Sequence, residues 1–330
     1  MKKRYLGSIE VSSIGMGCMG FTHGYGKAPS EDEAVKLIRQ AFAMGCTLFD
    51  TSEGYGPYTN EMLVGKALEP FRDQAVIVSK FSPVTLPGQD CAEGKLSKRG
   101  LRQALTGTLS RLKTDYVDIW LQHRVPLDCP LEEIAGWVGE FIDEGLVRGW
   151  GLSQPTADQV LRAQAVTPLS VVESEYSMME RMFEKDVIPM CGKLGIGFLA
   201  FSPLASGFLS ARYSSASHFE GDDVRRVITR FAPENITGNQ PLIELIEAFS
   251  QRKSCTPAQI SLAWMLHKNA FVVPIPGMRR VDRIVENLSA ADVVLTHEEF
   301  CALDNALNSV QIFGNRTDED IARLGTIRAQ

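Results

Sequence analysis

Short apolar runs alternate along the chain with longer stretches whose apolar residues recur at helical spacing. The apolar runs predict strands near residues 12–17, 47–49, 75–81, 117–121, 148–153, 170–176, 197–202 and 271–275. The amphipathic stretches predict helices near residues 31–42, 60–69, 98–112, 131–142, 156–165, 184–194, 256–268 and 281–288. Residues 4–13 alternate around a Gly-Ser pair and predict a small hairpin ahead of the first strand.

Polar residues at several predicted helix starts support these assignments. Residues 30–33 and 256–259 both have the capping-box pattern, and the second also has a proline at the first helical position. Asn60 and Ser97 are expected to cap the helices that follow them.

The repeated order of strand and helix predicts eight units within one domain that covers residues 1–330. Such units favour a closed (β/α)8 barrel, a TIM barrel of the α/β class. The alternative is a doubly wound open sheet, which would carry a Gly-x-Gly-x-x-Gly turn at the start of its first helix. Gly15, Gly17 and Gly20 have that spacing, but a loop of about ten residues separates them from the first helix.

The composition argues against several classes of protein. With 330 residues, 44% hydrophobic residues and a net charge of -6, the chain can bury a large core and lacks the basic character of a nucleic-acid-binding protein. No apolar run is long enough to span a membrane, and the basic residues 2–4 lead into no apolar signal segment. The seven cysteines are scattered without a Cys-x-x-Cys pair, which predicts reduced thiols, no metal site and a cytoplasmic protein.

Four titratable residues follow or end three neighbouring predicted strands: Asp50, Tyr55, Lys80 and His123. Considered singly, each residue has an ordinary structural explanation. The aspartate could cap a loop, the tyrosine could be a surface aromatic, the lysine could extend to the barrel rim, and the histidine could be part of the core. Together on one barrel rim they suggest an acid–base site, because active groups of barrels gather where strands end. The lysine is expected to lower the pKa of the phenol, the aspartate to hold the lysine, and the histidine to orient a carbonyl group.

Several short motifs occur in order along residues 4–310 and resemble the aldo-keto reductase superfamily, in particular its bacterial branch with a long loop after the seventh strand. The motifs are FDTSEGYG at residues 49–56, NE at 60–61, SK at 79–80, LQHR at 121–124, GLS at 151–153, EYS at 175–177, FSPL at 201–204 and PIPG at 274–277. The resemblance implies a (β/α)8 barrel that binds NADPH without a Rossmann fold. It also implies that Tyr55 is the general acid of a tetrad with Asp50, Lys80 and His123, and that a small aldehyde or ketone receives hydride from the nicotinamide.

The resemblance further implies a set of cofactor-binding positions, which are Gly17, Ser153, Gln154, Glu173, Phe201, Ser202, Leu204, Gly277, Arg279, Arg283, Glu286 and Asn287. Three of them depart from the family pattern: Gln154 stands where asparagine is usual, Glu173 where glutamine is usual, and Phe201 where tyrosine is usual. A carboxylate at position 173 can accept a hydrogen bond from the nicotinamide carboxamide but cannot donate one.

Arg279, Arg280 and Arg283 cluster at a predicted helix start. Arginine side chains combined with the free backbone N–H groups of a helix start suit an anion, here the 2'-phosphate that distinguishes NADP from NAD.

Two segments and two rival functions complete the predictions. Residues 205–240 are expected to form a long loop over the cofactor, extra helices are expected near the chain end, and residues 313–330 are expected to be a partly disordered tail. One rival function is a lyase of the aldolase type that forms a Schiff base through Lys80. The other is a non-catalytic, cofactor-sensing regulatory subunit, for which nothing in the sequence indicates a membrane partner.

Overall fold

A computed structural model describes residues 1–82, 97–126 and 130–315. An antiparallel hairpin of β1 (Lys3–Leu6) and β2 (Ile9–Ser12) precedes eight parallel strands that pair in chain order. The eight strands are β3 (Met16–Gly17), β4 (Leu48–Asp50), β5 (Val76–Phe81), β6 (Val117–Gln122), β7 (Val147–Ser153), β8 (Val171–Glu175), β9 (Gly197–Phe201) and β10 (Val272–Pro274). The sheet closes where Gly15 and Gly17 donate to the carbonyl oxygens of Pro274 and Pro276 at 2.9 and 3.1 Å. The predicted (β/α)8 barrel is therefore confirmed, and the open sheet was wrong.

Helices surround the barrel, and three of them are additional to the strand–helix repeat. The helices are α1 (Glu31–Ala43), α2 (Thr59–Leu68), α3 (Lys98–Leu112), α4 (Leu131–Asp143), α5 (Ala157–Val166), α6 (Val187–Leu194), α7 (Pro233–Gly238), α8 (Gln240–Lys253), α9 (Pro257–Lys268), α10 (Val281–Ser289) and α11 (His297–Asn308). Helices α7 and α8 lie between β9 and α9, and α11 follows α10. Among the described residues, no helix combines the length and the apolar character needed to cross a bilayer.

Helix starts follow the sequence pattern, with one exception. Both predicted capping boxes are present, at Ser30 and Thr256, and the Ser97 side chain accepts from the backbone of Gly100. Asn60 was wrongly expected to cap α2, because the helix begins at Thr59 and Asn60 lies fully buried inside it.

Asn60 instead ties two loops of the barrel rim together. Its side-chain amide donates to the Cys18 carbonyl oxygen and to the Thr22 hydroxyl, both at 2.9 Å, and its oxygen accepts from Thr51 at 2.7 Å. Because all of its polar atoms have partners, this buried amide stabilises the loops after β3 and β4.

The barrel interior is apolar below its carboxyl-terminal rim. Alternate residues of the strands point inward, and the inward set forms a cluster with three side chains of the hairpin: Leu6, Ile9, Val11, Leu48, Val76, Val78, Ile119, Leu121, Val171, Leu199, Val273 and Ile275. The hairpin therefore closes the amino-terminal end of the barrel. A larger apolar cluster fills the space between the strands and the helices.

Residues 205–240 are more structured than a long loop. They contain three short 3-10 helices, Ala205–Ser210, Val224–Arg226 and Thr229–Phe231, followed by α7. Arg230 is 1% exposed and donates to Glu175 at 2.9 Å and to Glu180 at 3.2 Å, which anchors the segment to the barrel. Part of the predicted tail is also held, because Phe313 and Asn239 exchange two hydrogen bonds of 2.9 Å. Residues 316–330 of that predicted tail lie outside the described residues.

Candidate active site

Three titratable side chains form the next inward layer above the apolar interior. Leu48 on β4, Val78 on β5 and Val171 on β8 face the barrel axis. Because strand side chains alternate with a period of two, the inward positions that follow them are Asp50, Lys80 and Glu173. The apolar layer lies beneath these groups, so the sequence that builds the core also fixes where the charges meet.

Lys80 and Asp50 form a tight buried ion pair. The Lys80 ammonium donates to both carboxylate oxygens of Asp50 at 2.6 and 2.5 Å and to the Thr51 carbonyl oxygen at 3.0 Å. Lys80 is 0% exposed and Asp50 3%. Burial alone would lower the pKa of Lys80, but the carboxyl groups of Asp50 and Glu173 hold that pKa above its ordinary value. Lys80 is therefore a fixed positive charge in this site.

Glu173 is a second carboxyl group beside the same ammonium. Its Oε1 lies 3.4 Å from Lys80 Nζ, while its buried Oε2 has no hydrogen-bond partner within the described part of the chain. Burial and then the negative Asp50 raise the pKa of Glu173 to about 8, and the Lys80 charge offsets this only in part. Near neutral pH, we therefore assign the proton of this carboxyl pair to Glu173.

The Tyr55 ring lies over the lysine and between two histidines. Lys80 Nζ is 5.3 Å from the ring centroid, and the rings of His23 and His123 are centred 5.4 and 5.8 Å from it. Burial raises the pKa of Tyr55, and the attraction of Lys80 for a phenolate does not overcome that effect. The expected lowering of this pKa is therefore wrong for the protein alone, and the phenol keeps its proton at neutral pH.

His123 follows β6 and is held as a neutral imidazole. Its backbone N–H donates to the Phe81 carbonyl oxygen at 2.8 Å, and its Nδ1 lies 3.1 Å from the Ser52 hydroxyl. Burial, with the positive charges of Arg124 and Lys80, lowers the pKa of His123 well below its ordinary value. A neutral imidazole can donate one hydrogen bond without adding a charge to the site.

A cavity of about 1010 Å³ opens above these groups. Its wall contains most of the predicted site residues, namely Gly17, Asp50, Tyr55, His123, Glu173, Phe201, Ser202, Leu204, Gly277, Arg279, Arg280, Arg283, Glu286 and Asn287. Within the described ranges, Lys80, Ser153 and Gln154 are the predicted residues that do not form part of the wall. Lys80 lies directly beneath it, in contact with Asp50.

Ser153 and Gln154 each form a hydrogen bond with a residue of the cavity wall. Arg124, which lines the cavity, donates to the Ser153 hydroxyl at 3.0 Å. Gln154 has a left-handed φ of 54°, and its N–H donates to the Glu173 carbonyl oxygen at 2.8 Å. A left-handed non-glycine residue at this point turns the chain sharply out of β7.

The other end of the cavity is rich in arginine. Arg283 is ion-paired with Glu286, and Arg280 lies 2.9 Å from Asp282 at the surface. Arg279 instead donates to the carbonyl oxygens of Tyr25 at 2.7 Å and Lys27 at 3.2 Å, so it holds the loop after β3. Of the three clustered arginines, Arg280 is exposed and Arg279 is engaged with backbone, whereas Arg283 is held at the cavity wall by Glu286.

Residues 205–240, called the closing segment below, cover part of the cavity. Asp222 accepts from the Gly24 N–H at 2.9 Å, and the Val224 N–H donates to the Gly24 carbonyl oxygen at 3.0 Å. The Tyr25 hydroxyl lies 3.4 Å from that of Ser206. Residues 205–240 and the loop after β3 therefore meet at the cavity.

Three residues of the site were missed from the sequence: Ser52, Arg124 and His23. Ser52 and Arg124 lie within motifs already recognised, next to Thr51 and His123, so their position was a usable signal. His23 lies in the loop after β3, and its contact with Tyr55 depends on how that loop folds.

Comparisons with known proteins place the chain in a family. The model of the aldo/keto reductase family matches residues 13–308, so the chain belongs to that family. It is 30% identical to the thermostable aldo-keto reductase Tm1743, solved with the inhibitor epalrestat, with a TM-score of 0.74 over 93% of this chain and 100% of that one.

Two further solved structures are similar. An aldo/keto reductase from Klebsiella pneumoniae, solved with NADP and acetate, is 25% identical, with a TM-score of 0.74 over 96% of this chain and 100% of that one. A glycerol dehydrogenase from Gluconobacter oxydans, AKR11B4, is 23% identical, with a TM-score of 0.83 over 93% and 95% of the two chains, and supports the fold alone.

Proposed function

We propose that this protein is an NADPH-dependent reductase that converts a small aldehyde or ketone to the alcohol, with Tyr55 as the general acid. The observation that carries the proposal is the buried ion pair of Lys80 and Asp50 directly beneath the Tyr55 ring, at the wall of the large cavity. It agrees with membership of a family of oxidoreductases.

Each group of the tetrad has a distinct part in this proposal. Tyr55 carries the proton, because its pKa is raised, and gives it to the carbonyl oxygen. The phenolate that remains is stabilised by the fixed charge of Lys80, which Asp50 holds in place. The neutral His123, with one ring nitrogen beside Ser52, donates from the other nitrogen to the carbonyl oxygen and orients it.

The cavity fits a dinucleotide phosphate. Its volume of about 1010 Å³ is at the upper end for a small-molecule site. A Cβ atom at Gly17 would lie 2.7 Å from the Ile275 carbonyl oxygen, so only glycine lets the backbone after β10 approach β3 this closely at the cavity wall. Ser202 and Ser206, which also line the cavity, have left-handed φ values of 48° and 57°.

The arginine-rich end of the cavity supports its assignment as the binding site for the adenosine and 2'-phosphate of NADPH. The buried Oδ1 of Asn287 has no hydrogen-bond partner in the ranges described and suits an amino group of the adenine. Arg283 and Glu286 lie on the same helix, α10. When bound, NADPH supplies the hydride that reaches the carbonyl carbon. Related proteins solved with NADP or NADPH agree with this choice of cofactor.

Replacing Arg283 tests the cofactor assignment. We expect Arg283→Ala to weaken NADPH binding by about 1–3 kcal/mol, the scale of a lost charge-assisted hydrogen bond, and to leave NADH binding almost unchanged. Fluorescence titration with both nucleotides measures this. Arg102→Ala, which removes a surface ion pair with Glu144 outside the cavity, is the matched control. Equal losses for NADPH and NADH would show that Arg283 does not recognise the 2'-phosphate.

The lyase alternative is disfavoured by the state of Lys80. A Schiff-base lysine must lose its proton before it attacks a carbonyl group, and nucleophilic lysines have lowered pKa values. Here the neighbouring carboxyl groups raise the pKa of Lys80, and the ammonium is enclosed. Borohydride treatment with carbonyl compounds should therefore leave Lys80 unmodified. A covalent adduct on Lys80, found by mass spectrometry, would favour the lyase.

A panel of aldehydes and ketones tests the function itself. We expect the protein to consume NADPH, followed by its absorbance, with at least one class of carbonyl compound and in proportion to alcohol formed. Tight NADPH binding without turnover of any member would instead favour the non-catalytic, cofactor-sensing alternative.

A further inference from the structure

The centre of the site contains one more carboxyl group than its single ammonium can pair. Asp50 takes both short contacts of Lys80, whereas Glu173 approaches no closer than 3.4 Å through Oε1. With exposures of 3% and 2%, both carboxyl groups are almost completely shielded from water. An unpaired carboxylate in such a place is costly, so one carboxyl group holds a proton near neutral pH.

Glu173 also lies at the wall of the cavity that a ligand would occupy. It borders the cavity beside Asp50 and Tyr55, and its buried Oε2 is unpartnered among the residues that the structure describes. Its backbone is fixed on both sides, because β8 pairs Glu173 with Ser153 of β7 and with Leu199 of β9. The carboxyl groups of Glu173 and Asp50 are hydrogen-bonded to each other through the proton that they share. Oε2 of Glu173 has no other hydrogen-bond partner in the described ranges. On a rigid strand at a cavity wall, such an oxygen suits a hydrogen bond to a bound ligand.

We propose that Glu173 is a titrating positioning group that hydrogen-bonds the bound dinucleotide through Oε2 and makes the preference between NADPH and NADP+ depend on pH. The proposal rests on the proposed function, since it requires the dinucleotide to occupy this cavity. Neutral Glu173 adds no charge beside the ligand, whereas ionised Glu173 adds a negative one. The oxidised nicotinamide ring is positive and the reduced ring is neutral, so ionisation of Glu173 favours NADP+.

The direction of the pH effect follows from the groups around Glu173. Asp50 on β4 opposes its ionisation, Lys80 on β5 assists it, and Tyr55 is the remaining titratable neighbour at the wall. Burial and Asp50 together outweigh Lys80 and raise the pKa of Glu173 to about 8. Preference for NADP+ should therefore increase as the pH rises through that value.

The first test measures binding of the two nucleotides. NADPH and NADP+ are titrated against the wild-type protein and Glu173→Gln at pH values from about 6.5 to about 9, using the fluorescence change on binding. In the wild type we expect the ratio of the NADP+ to the NADPH dissociation constant to fall by about fivefold or more over this range, the lower limit usual for coupled sites. In Glu173→Gln the ratio should not change with pH, because the amide does not titrate.

The second test needs no nucleotide. The folded-state pKa of Glu173 lies above the roughly 4.3 of an unfolded glutamate, so its contribution to stability is present below that value and is lost as the pH rises through the folded-state pKa. The Tm of Glu173→Gln should therefore rise relative to wild type as the pH increases. Glu61→Gln is the control for a buried carboxyl group away from the cavity, where Glu61 pairs with Arg111, and its nucleotide preference should follow the wild type.

The outcomes separate the two proposals. Failure of both nucleotides to bind wild-type protein would overturn the proposed function and this inference with it. Binding of both nucleotides with the same pH dependence in wild type and Glu173→Gln would overturn the role of Glu173 alone. A Tm difference that does not vary with pH would show that Glu173 does not titrate and would also overturn it.

Discussion

Tyr55→Phe should reduce carbonyl reduction by at least about 10²–10⁴-fold, the usual contribution of a general acid, while NADPH binding stays unchanged. The substitution removes one oxygen and keeps the ring that packs between His23 and His123. The proposed nucleotide contacts on β7 to β10 and α10 are not altered. Turnover with a carbonyl substrate and fluorescence titration with NADPH measure the two quantities.

Tyr116→Phe provides the matched control for this change. Tyr116 packs against Arg72 and Arg148 on the outside of the barrel, away from the cavity wall, so its hydroxyl should have no effect on turnover. If Tyr55→Phe retained most of the reductase activity, His123 or water would be the proton donor, and the role proposed for Tyr55 would be wrong.

The barrel was predictable because its strands and helices follow local periodicity, and Asp50 and Lys80 were expected at its rim because they end neighbouring strands. Glu173 was expected at the site only from the family resemblance. The apolar runs gave the strands, and a period of two along β4, β5 and β8 places Asp50, Lys80 and Glu173 on the same inward layer. The prediction that such groups meet at one rim needed only the parallel order of the strands. Membership of the aldo/keto reductase family agrees with that prediction.

Where two physical effects oppose each other, the sequence did not show which one is stronger. The pKa of Tyr55 depends on whether burial or the charge of Lys80 is stronger, and burial is the larger. Asn60 resembles a helix cap by its position, but tertiary contacts with Cys18 and Thr22 draw it inside α2. In both cases, residues distant in sequence decide the outcome.

The closing segment shows a second limit of prediction from the sequence, which concerns buried arginines. Its polar composition predicted a long loop, yet Arg230 pairs with Glu175 and Glu180 and anchors residues 205–240 to the barrel. A buried arginine of this kind cannot be distinguished in the sequence from a solvated one, since both are simply arginines in a polar stretch. The same ambiguity applied to the arginines at positions 279, 280 and 283, which the structure separates by their partners.

Lys80→Met should have a large effect on both stability and activity. The methionine fills similar space but leaves the buried Asp50 carboxylate without a counter-charge, which typically costs about 3–5 kcal/mol of folding free energy. Urea unfolding measures this cost. Lys66→Met, which removes an exposed ion pair with Glu31, is the control and should change stability little.

The stability deficit of Lys80→Met should also depend on pH. Without Lys80, burial holds the folded-state pKa of Asp50 further above its unfolded value of about 3.9, so folding then favours the protonated acid. Stability linked to that protonation is present at low pH and is lost as the pH rises through the folded-state pKa. The difference from wild type should therefore be smaller near pH 5 than near pH 8.

Activity of Lys80→Met should fall by about a hundredfold or more, because the Tyr55 phenolate left after proton transfer loses the charge that stabilises it. If Tyr55 and Lys80 act as one unit, the double variant Tyr55→Phe with Lys80→Met should be little slower than the slower single variant. Losses that multiply in the double variant would mean that Lys80 assists catalysis by a route that does not pass through Tyr55.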